Sequence, residues 1–445
     1  MSVDYGKVAV LGLGVTGQSV VRFLQARGHA PEVLDTRSAE ALDLSALPDL
    51  PVQAGVTSLA SLKVDTLVVS PGISWDSCLV RSIPGHVRVL SDIDLFFDAV
   101  TQPVIGITGT NGKSTVTSLV GHLLQQSGLD YRVGGNLGQA ALDLVDEQAE
   151  GYVLELSSFQ LERTTSMRFA AATILNISED HLDKHGSLSA YIDAKQRIYT
   201  RCDLAVAKRD DEATLPVQPT GSLVTFALTA PGSDTQWGLC QRDQVTWLCR
   251  GADLLIKAAD LPLAGAHNIE NVLAACALVR PWLNLKQMAA ALHSFSGLAH
   301  RFETVAQGHG IEAINDSKAT NVGAAVSALQ GFTPLGQVVL VGGGDAKGAD
   351  LAPYVKAMQG RVKLLVAVGQ DGAALTDLAC AQGIDARYFT DFSDAVTAGF
   401  NACSAGDTLL LSPGCASIDM FDSFKARGDA FTQLVIQLMQ QEANS

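Results

Sequence analysis

Nine short apolar runs recur along the chain: KVAVLG, TLVVSPG, PVIGITG, YVLELSS, ATILNIS, CDLAVAK, QVVLVGGG, KLLVAVG and TLLLSPG. Most of them end in a small or polar turn, and helical stretches lie between them. Strand runs alternating with helices are the pattern of α/β folds with mainly parallel sheets. In open parallel sheets ligands bind beyond the carboxyl ends of the strands, so the turns that end these runs are where chemistry is to be sought.

At 445 residues the chain is too long for one ordinary core, and three segments suggest themselves. Residues 1–92 read as a Rossmann-like domain, followed by a helix and linker in SDIDLFFDAVTQP. Residues 93–298 read as a central domain of the P-loop ATPase kind, a mainly parallel sheet whose short strands between 221 and 263 suggest an antiparallel appendage. Residues 299–445 read as a second Rossmann-like domain, with strands near 311, 337, 363 and 408.

Composition narrows the function. Hydrophobic residues make up 47% and charged residues 17%, without low-complexity tracts, which is the balance of a folded enzyme. No apolar run approaches the roughly 18 to 20 residues that cross a bilayer, and the N-terminus lacks a basic stretch followed by an apolar one. A cytoplasmic protein without membrane insertion is expected. The eight cysteines are scattered without CxxC spacing and read as reduced thiols. A formal charge of −15 argues against a nucleic-acid partner. Anionic ligands must then be held by local lysines, arginines and backbone N–H groups.

Two glycine loops follow strands. GITGTNGKST departs from the strict P-loop because Gly106 lies one position too far from Gly112, but its physics is intact. Gly109 and Gly112, flanking Thr110 and Asn111, let backbone N–H groups face an anion; Lys113 can reach terminal phosphates, and Ser114 or Thr115 can ligate Mg²⁺ at a helix N-terminus. The earlier loop, GLGVTG, contains Gly12, Gly14, Val15, Thr16 and Gly17, and Asp35 follows in a DTR segment with Thr36 and Arg37. Its literal reading is an NAD-dependent oxidoreductase. The second phosphate loop and the arginine favour another nucleotide, with UDP a candidate.

Further along, Glu155 ends a strand in YVLELSSFQLE, where it could meet Mg²⁺ or be a solvated loop carboxylate. NISEDHLDKHGS clusters Asp180, His181, Asp183 and His185, with spacing unsuited to zinc and better suited to an oxygen-preferring metal. By its residues alone Lys195 reads as an ordinary surface lysine. Asn268 and Asn271 stand one helical turn apart, able to meet an adenine or to act as caps. In the third segment Lys318 and Lys347 occupy polar loops suited to a carboxylate, with Arg301 and Asp316 as a charged pair and Ser412 and Ser417 in a small-residue turn.

Taken in order, GTNGKST, ELSSFQLE, EDHLDKHG, AKQRIY and AHNIENVLAA resemble the Mur ligase family, ATP-dependent amide-forming enzymes of peptidoglycan synthesis. The resemblance spans essentially the whole chain, and DTR, NDSKATN and LSPGCASIDMF are most similar to the D-glutamate-adding branch. It implies a monomer acting on UDP-N-acetylmuramoyl-L-alanine, D-glutamate and ATP, with two Mg²⁺ ions that Mn²⁺ can replace. It further implies UDP contacts at Gly14, Val15, Thr16, Asp35, Thr36, Arg37 and the Ser70-Pro71-Gly72 turn, with Asn136 near the sugar. Gly109 to Thr115, Asn268, Asn271, Arg301 and Asp316 would surround ATP, and Ser114, Glu155, His181 and Lys195 the metal. Lys113, His181 and Lys195 would be catalytic, with Lys195 at the position carbamylated in the family; Lys318, Thr320, Lys347, Ser417 and Phe424 would bind D-glutamate. One departure is Ala346, where the family loop has glycine, and a modest change in that loop is expected. An amide ligase of different amino-acid specificity and a non-catalytic nucleotide-binding module are the remaining readings.

Overall fold

The computed structural model of the chain describes residues 3–42, 50–75, 77–218, 220–263, 265–332 and 334–443. All nine apolar runs contain strands, and they assemble into three sheets.

The first sheet contains β1 (Val8–Leu11), β2 (Glu32–Leu34), β3 (Val52–Gln53), β4 (Thr66–Val69) and β5 (Arg88–Leu90), all parallel, in the order β3-β2-β1-β4-β5. Every residue of β1 and β4 is buried, as expected for central parallel strands covered on both faces. The chain leaves β1 toward one edge and returns as β4 on the other side. This reversal opens a crevice at the carboxyl ends of β1 and β4, where the Gly12–Gly17 loop and the Ser70-Pro71-Gly72 turn lie.

The second sheet contains β6 (Val104–Thr108), β7 (Tyr131–Gly135), β8 (Gly151–Glu155), β9 (Ala171–Ile174), β10 (Leu204–Lys208), β11 (Ser222–Phe226), β12 (Gln236–Arg242), β13 (Val245–Arg250) and β14 (Asp253–Lys257). Its order is β14-β13-β12-β11-β10-β9-β6-β8-β7. The expected antiparallel appendage is smaller than its 221–263 bounds. SLVTFAL forms β11, which pairs in parallel with β10, and only β12, β13 and β14 are antiparallel to one another. Period-two alternation in a short run does not reveal its partner, which explains the difference. Beside β6 the chain again reverses direction, passing from β7 and β8 on one side to β9 on the other. The ends of β8, β6 and β9 therefore stand side by side.

The stretch 91–103, read as a helix and linker, forms a helix over Asp92–Ala99, started by a capping box between Ser91 and Asp94. The Asp94 carboxylate also accepts the N–H groups of Thr165 and Ser166, at 2.8 and 3.0 Å, which ties the linker to the second sheet's domain.

The third sheet contains β15 (Glu303–Gly308), β16 (Ile311–Asn315), β17 (Val338–Gly343), β18 (Val362–Val368), β19 (Ala386–Tyr388) and β20 (Thr408–Leu411), in the order β15-β16-β20-β17-β18-β19. Only edge strand β15 is antiparallel. By compactness the chain forms two units, residues 1–259 with 271–293, and residues 260–270 with 294–445. Among the described residues no helix is long and apolar enough to cross a membrane.

Candidate active site

In the first unit the loop after β6 bends through Gly109 at φ +152° and Gly112 at φ +82°, values that side-chain-bearing residues rarely adopt. A Cβ on Gly112 would also lie 2.6 Å from the Asn271 Oδ1, so Asn271 comes up against the loop. The helix Lys113–Gln126 starts directly after it. Its first N–H groups have no intrahelical acceptor, which is the arrangement that binds anions.

The back of the loop is held by the segment after β9. Asn176 accepts Thr110 N–H on its carbonyl at 3.0 Å and Asn111 N–H on its side chain at 2.8 Å, and donates from Nδ2 to Asn111 O at 3.1 Å. Ser178 N–H donates to Thr110 Oγ1 at 3.0 Å, and Tyr191 Oη is 3.2 Å from the same hydroxyl. Asn176 and Tyr191 escaped the sequence reading, although Asn176 opens a motif it quoted and Tyr191 lies three residues before another. An asparagine after a strand and a tyrosine in a helix carry no local sign of a partner so far away in the chain.

Two amino groups meet here. Lys113 Nζ donates to Gly109 O at 2.9 Å and Thr110 O at 2.8 Å, while Lys195 Nζ donates to the same Gly109 O at 2.9 Å. The surface-lysine reading of Lys195 is thereby overturned: only 1% of the residue is exposed. Burial first, and the Lys113 ammonium second, push the Lys195 amine well below the ordinary lysine range, with Asp180 and Glu155 pulling the other way. A buried lysine beside another cation is held toward its neutral, nucleophilic form.

Glu155 ends β8, with 2% exposed. Its Oε1 accepts Asn136 Nδ2 at 2.7 Å, whereas its Oε2 is buried without a hydrogen-bond partner. An orphaned buried carboxylate oxygen next to a phosphate-type loop suits a cation. Ser114 and Thr115, also buried, open the adjoining helix. His181 follows β9 at φ +54°, with 47% of its side chain exposed, Asp180 Oδ2 at 3.7 Å and the Phe159 ring edge-on at 5.3 Å. The side chain of Asp183 lies outside the described residues. Among the described residues no three His, Cys, Asp or Glu side chains converge. Mg²⁺ commonly takes one or two carboxylates and completes its octahedron with water and phosphate oxygens, so Glu155 and the loop hydroxyls fit it.

At the crevice of the first sheet Gly14 caps the helix Val15–Ala26, Val15 is 74% exposed, and Thr16 stands beside it. Asp35 is turned inward. Its carboxylate accepts Leu13 N–H at 2.7 Å and Arg37 N–H, Nε and Nη2 at 2.8 to 3.0 Å. Burial would raise its pKa, but the Arg37 guanidinium and the Leu13 amide hold it at about 2. Asp35 thus shapes the glycine loop and aims Arg37, leaving Thr36 and Arg37 exposed at the crevice.

In the second unit the ends of β16, β20 and β17 bring three loops together. Lys318 Nζ lies 4.1 Å above the Phe424 ring, a cation–π contact. Asp345 and Ala416 form a backbone bridge that joins the Lys347 loop to the Ser417 turn. In this loop the left-handed conformation falls on Lys347, at φ +52°, and not on Ala346. Asp316 accepts Phe302 N–H at 3.2 Å and Ser412 Oγ–H at 2.9 Å. Burial pushes its carboxyl up to about 7 against that hydroxyl and the Arg301 charge.

Arg427, which the sequence reading passed over, sits beneath these loops with 2% exposed. It donates to Ser317 Oγ and O at 3.1 and 2.9 Å, to Cys415 O at 3.2 Å and to Ala416 O at 3.3 Å. Arg427→Met should therefore destabilise this unit by about 3 kcal/mol, because buried carbonyls lose a charged donor. Chemical denaturation would show it, and an unchanged midpoint would remove Arg427 as the tie between the loops.

Three family models match the chain: "Mur ligase MurD-like, N-terminal domain" at residues 6–87, "Mur ligase middle domain" at 107–279 and "Mur ligase, glutamate ligase domain" at 300–415. The UDP-N-acetylmuramoylalanine–D-glutamate ligase of Nitrosococcus oceani is 42% identical over 439 residues, covering 97% of this chain and 96% of that protein. Its namesake from Marinobacter nauticus is 40% identical over 437 residues, covering 96% and 98%. In fold, the chain is similar to the UDP-N-acetylmuramate-alanine ligase of Thermotoga maritima, with a TM-score of 0.62 and 20% identity over 98% of this chain and 100% of that one. With three matching domains in sequence order and such identity over nearly its whole length, the chain belongs to the Mur ligase family.

Proposed function

We propose that the protein is an ATP-dependent ligase that joins D-glutamate to UDP-N-acetylmuramoyl-L-alanine, giving ADP and phosphate, in peptidoglycan precursor synthesis. The observation that carries this reading is the convergence of Lys113 and Lys195 on Gly109 O, at the end of a strand beside the orphaned Glu155 oxygen.

A carboxylate is a poor electrophile because its leaving group would be an oxide. Transfer of the γ-phosphoryl group forms a bond from a carboxylate oxygen to phosphorus and breaks the bond from phosphorus to ADP. The amine of D-glutamate then attacks the carbonyl carbon, phosphate leaves with the bonding electrons, and the nitrogen loses a proton. Lys113, now bound to two carbonyls of its own loop, turns to the transferring phosphoryl group and stabilises the charge spread over its oxygens. The loop amides hold the neighbouring phosphates, with Asn271 against the loop, and Asn268, Arg301 and Asp316 are the further residues proposed for ATP.

Ser114, Glu155 and His181 would hold Mg²⁺, which when bound would neutralise charge on the phosphates. The depressed Lys195 amine is suited to take up CO₂, losing one proton to give a carbamate, an anion that adds a further metal-binding oxygen. The Gly14–Thr16 loop, Thr36, Arg37 and the Ser70-Pro71-Gly72 turn bind the uridine diphosphate, Asn136 lies toward the sugar, and Lys318, Thr320, Lys347, Ser417 and Phe424 bind D-glutamate.

Phosphate release from ATP and Mg²⁺ tests this directly. Release is expected only when UDP-N-acetylmuramoyl-L-alanine and D-glutamate are both present, with a new amide in the product. Equal release with L-glutamate or another amino acid would keep the chemistry and move the specificity, and consumption of nicotinamide instead would restore the oxidoreductase reading.

A further inference from the structure

Arg163 belongs to none of the motifs read from the sequence, yet only 8% of it is exposed. Its Nη1 donates to Ser70 O and its Nη2 to Ile73 O, across 93 and 90 residues of chain. The guanidinium also lies 5.5 Å from the centre of the Trp75 ring. Ser70 O already accepts Ile73 N–H at 3.1 Å, so Arg163 grips both ends of one tight turn. The other side of this turn meets the first glycine loop closely, since a Cβ on Gly12 would lie 2.9 Å from the Ser70 Cβ. The turn is thus held between the Gly12–Gly17 loop and Arg163.

Arg163 ends a six-residue helix, Ser158–Arg163, whose first residues face the opposite way. Ser158 Oγ is 2.9 Å from His185 Nε2, Phe159 stacks on the His185 ring at 4.9 Å, and the same phenylalanine meets His181 edge-on at 5.3 Å. Between them Gln160 Nε2 donates to the buried Asp92 carboxylate at 3.2 Å. One rigid helical turn and a half therefore spans from the His181 turn after β9 to the Ser70 turn after β4, and it begins three residues beyond Glu155.

We infer that Arg163 is a positioning residue for the UDP-linked substrate, holding the Ser70–Ile73 turn in register with the phosphate-transfer site. This rests on the functional reading above for the identity of the substrate, but not for the contact itself. The physical reason is that two charge-assisted hydrogen bonds, one buried and one partly buried, add to the turn's own backbone bonds and fix both of its ends. Small displacements of a bound reactant are costly to a transfer that needs close approach and alignment.

The test compares wild type with Arg163→Met and Arg163→Lys. Hydrogen exchange on the ligand-free proteins reads the contact, and calorimetry reads the affinities for UDP-N-acetylmuramoyl-L-alanine and for a non-hydrolysable ATP analogue with Mg²⁺. Arg163→Met should speed exchange in the peptide covering residues 70–75 and weaken the UDP substrate about tenfold, with KM rising in parallel. The ATP analogue should bind as in wild type. Arg163→Lys, which keeps a donor for one carbonyl, should recover part of the affinity, and it carries the test alone if the methionine variant does not fold. Unchanged exchange and unchanged UDP-substrate affinity would overturn the inference, as would equal weakening of both ligands, which marks a general loss of packing. If wild type itself fails to bind the UDP substrate, the functional reading and the positioning role fall together, whereas the exchange result still decides whether the contact holds the turn.

Discussion

Lys113→Met is expected to lower kcat for phosphate release by about a thousandfold or more while leaving the protein folded. The side chain stands at the Gly109–Gly112 bend, and among its acceptors Gly109 O and Thr110 O belong to the loop it springs from. Losing those two bonds costs stability on the order of 1 kcal/mol, because Gly109 O keeps Lys195 as a donor and the loop keeps Asn176 and Ser178. Catalysis has no such reserve. In the proposed reaction the phosphoryl group would carry its charge on oxygens facing the loop, and methionine fills the space of lysine without the positive end. Rapid-quench measurement of the first turnover would separate this loss from slow product release. Retention of activity within tenfold of wild type would place phosphoryl transfer elsewhere.

Lys195→Ala is expected to lose most activity, by about a hundredfold or more, since metal-ligating groups and their supports carry effects of that size. Two opposing terms act on the fold: alanine leaves a cavity, but it also removes an amine whose burial beside Lys113 disfavours its charged form. The catalytic loss therefore exceeds anything the thermal midpoint reports. If the group at work is a carbamate, a short carboxylate such as acetate, added at high concentration, should restore part of the activity of Lys195→Ala and none of that of Lys113→Met. Mass spectrometry under native conditions should find the CO₂ adduct on wild type only. Full activity of the unaided alanine variant would take Lys195 out of the mechanism.

The contrast between these two lysines shows what a sequence makes legible. Lys113 was recognisable because everything that defines it is local: a strand, a glycine-rich turn and a helix start within a dozen residues. Lys195 was not, because it lies in an ordinary helix, and its neighbours on that helix give no sign that it turns inward to an oxygen 86 residues away. The same holds for Arg427, whose acceptors lie 110 residues back at Ser317 and 12 and 11 back at Cys415 and Ala416. It holds again for Asp35, a fingerprint position by spacing that the fold spends on Leu13 and Arg37.

By itself the sequence determined that there would be parallel α/β sheets, which apolar runs would be their strands, and that anion-binding turns would follow them, because periodicity and turn chemistry act over a few residues. The tertiary structure alone decided the order of the strands. That order places the ends of β8, β6 and β9 side by side, the strands that carry Glu155 or lead into Lys113 and His181. It also decided which side chains are cut off from water. Burial and strand order are set by packing between segments far apart in the chain, and it is burial that turns Lys195 from a solvated cation into a depressed amine.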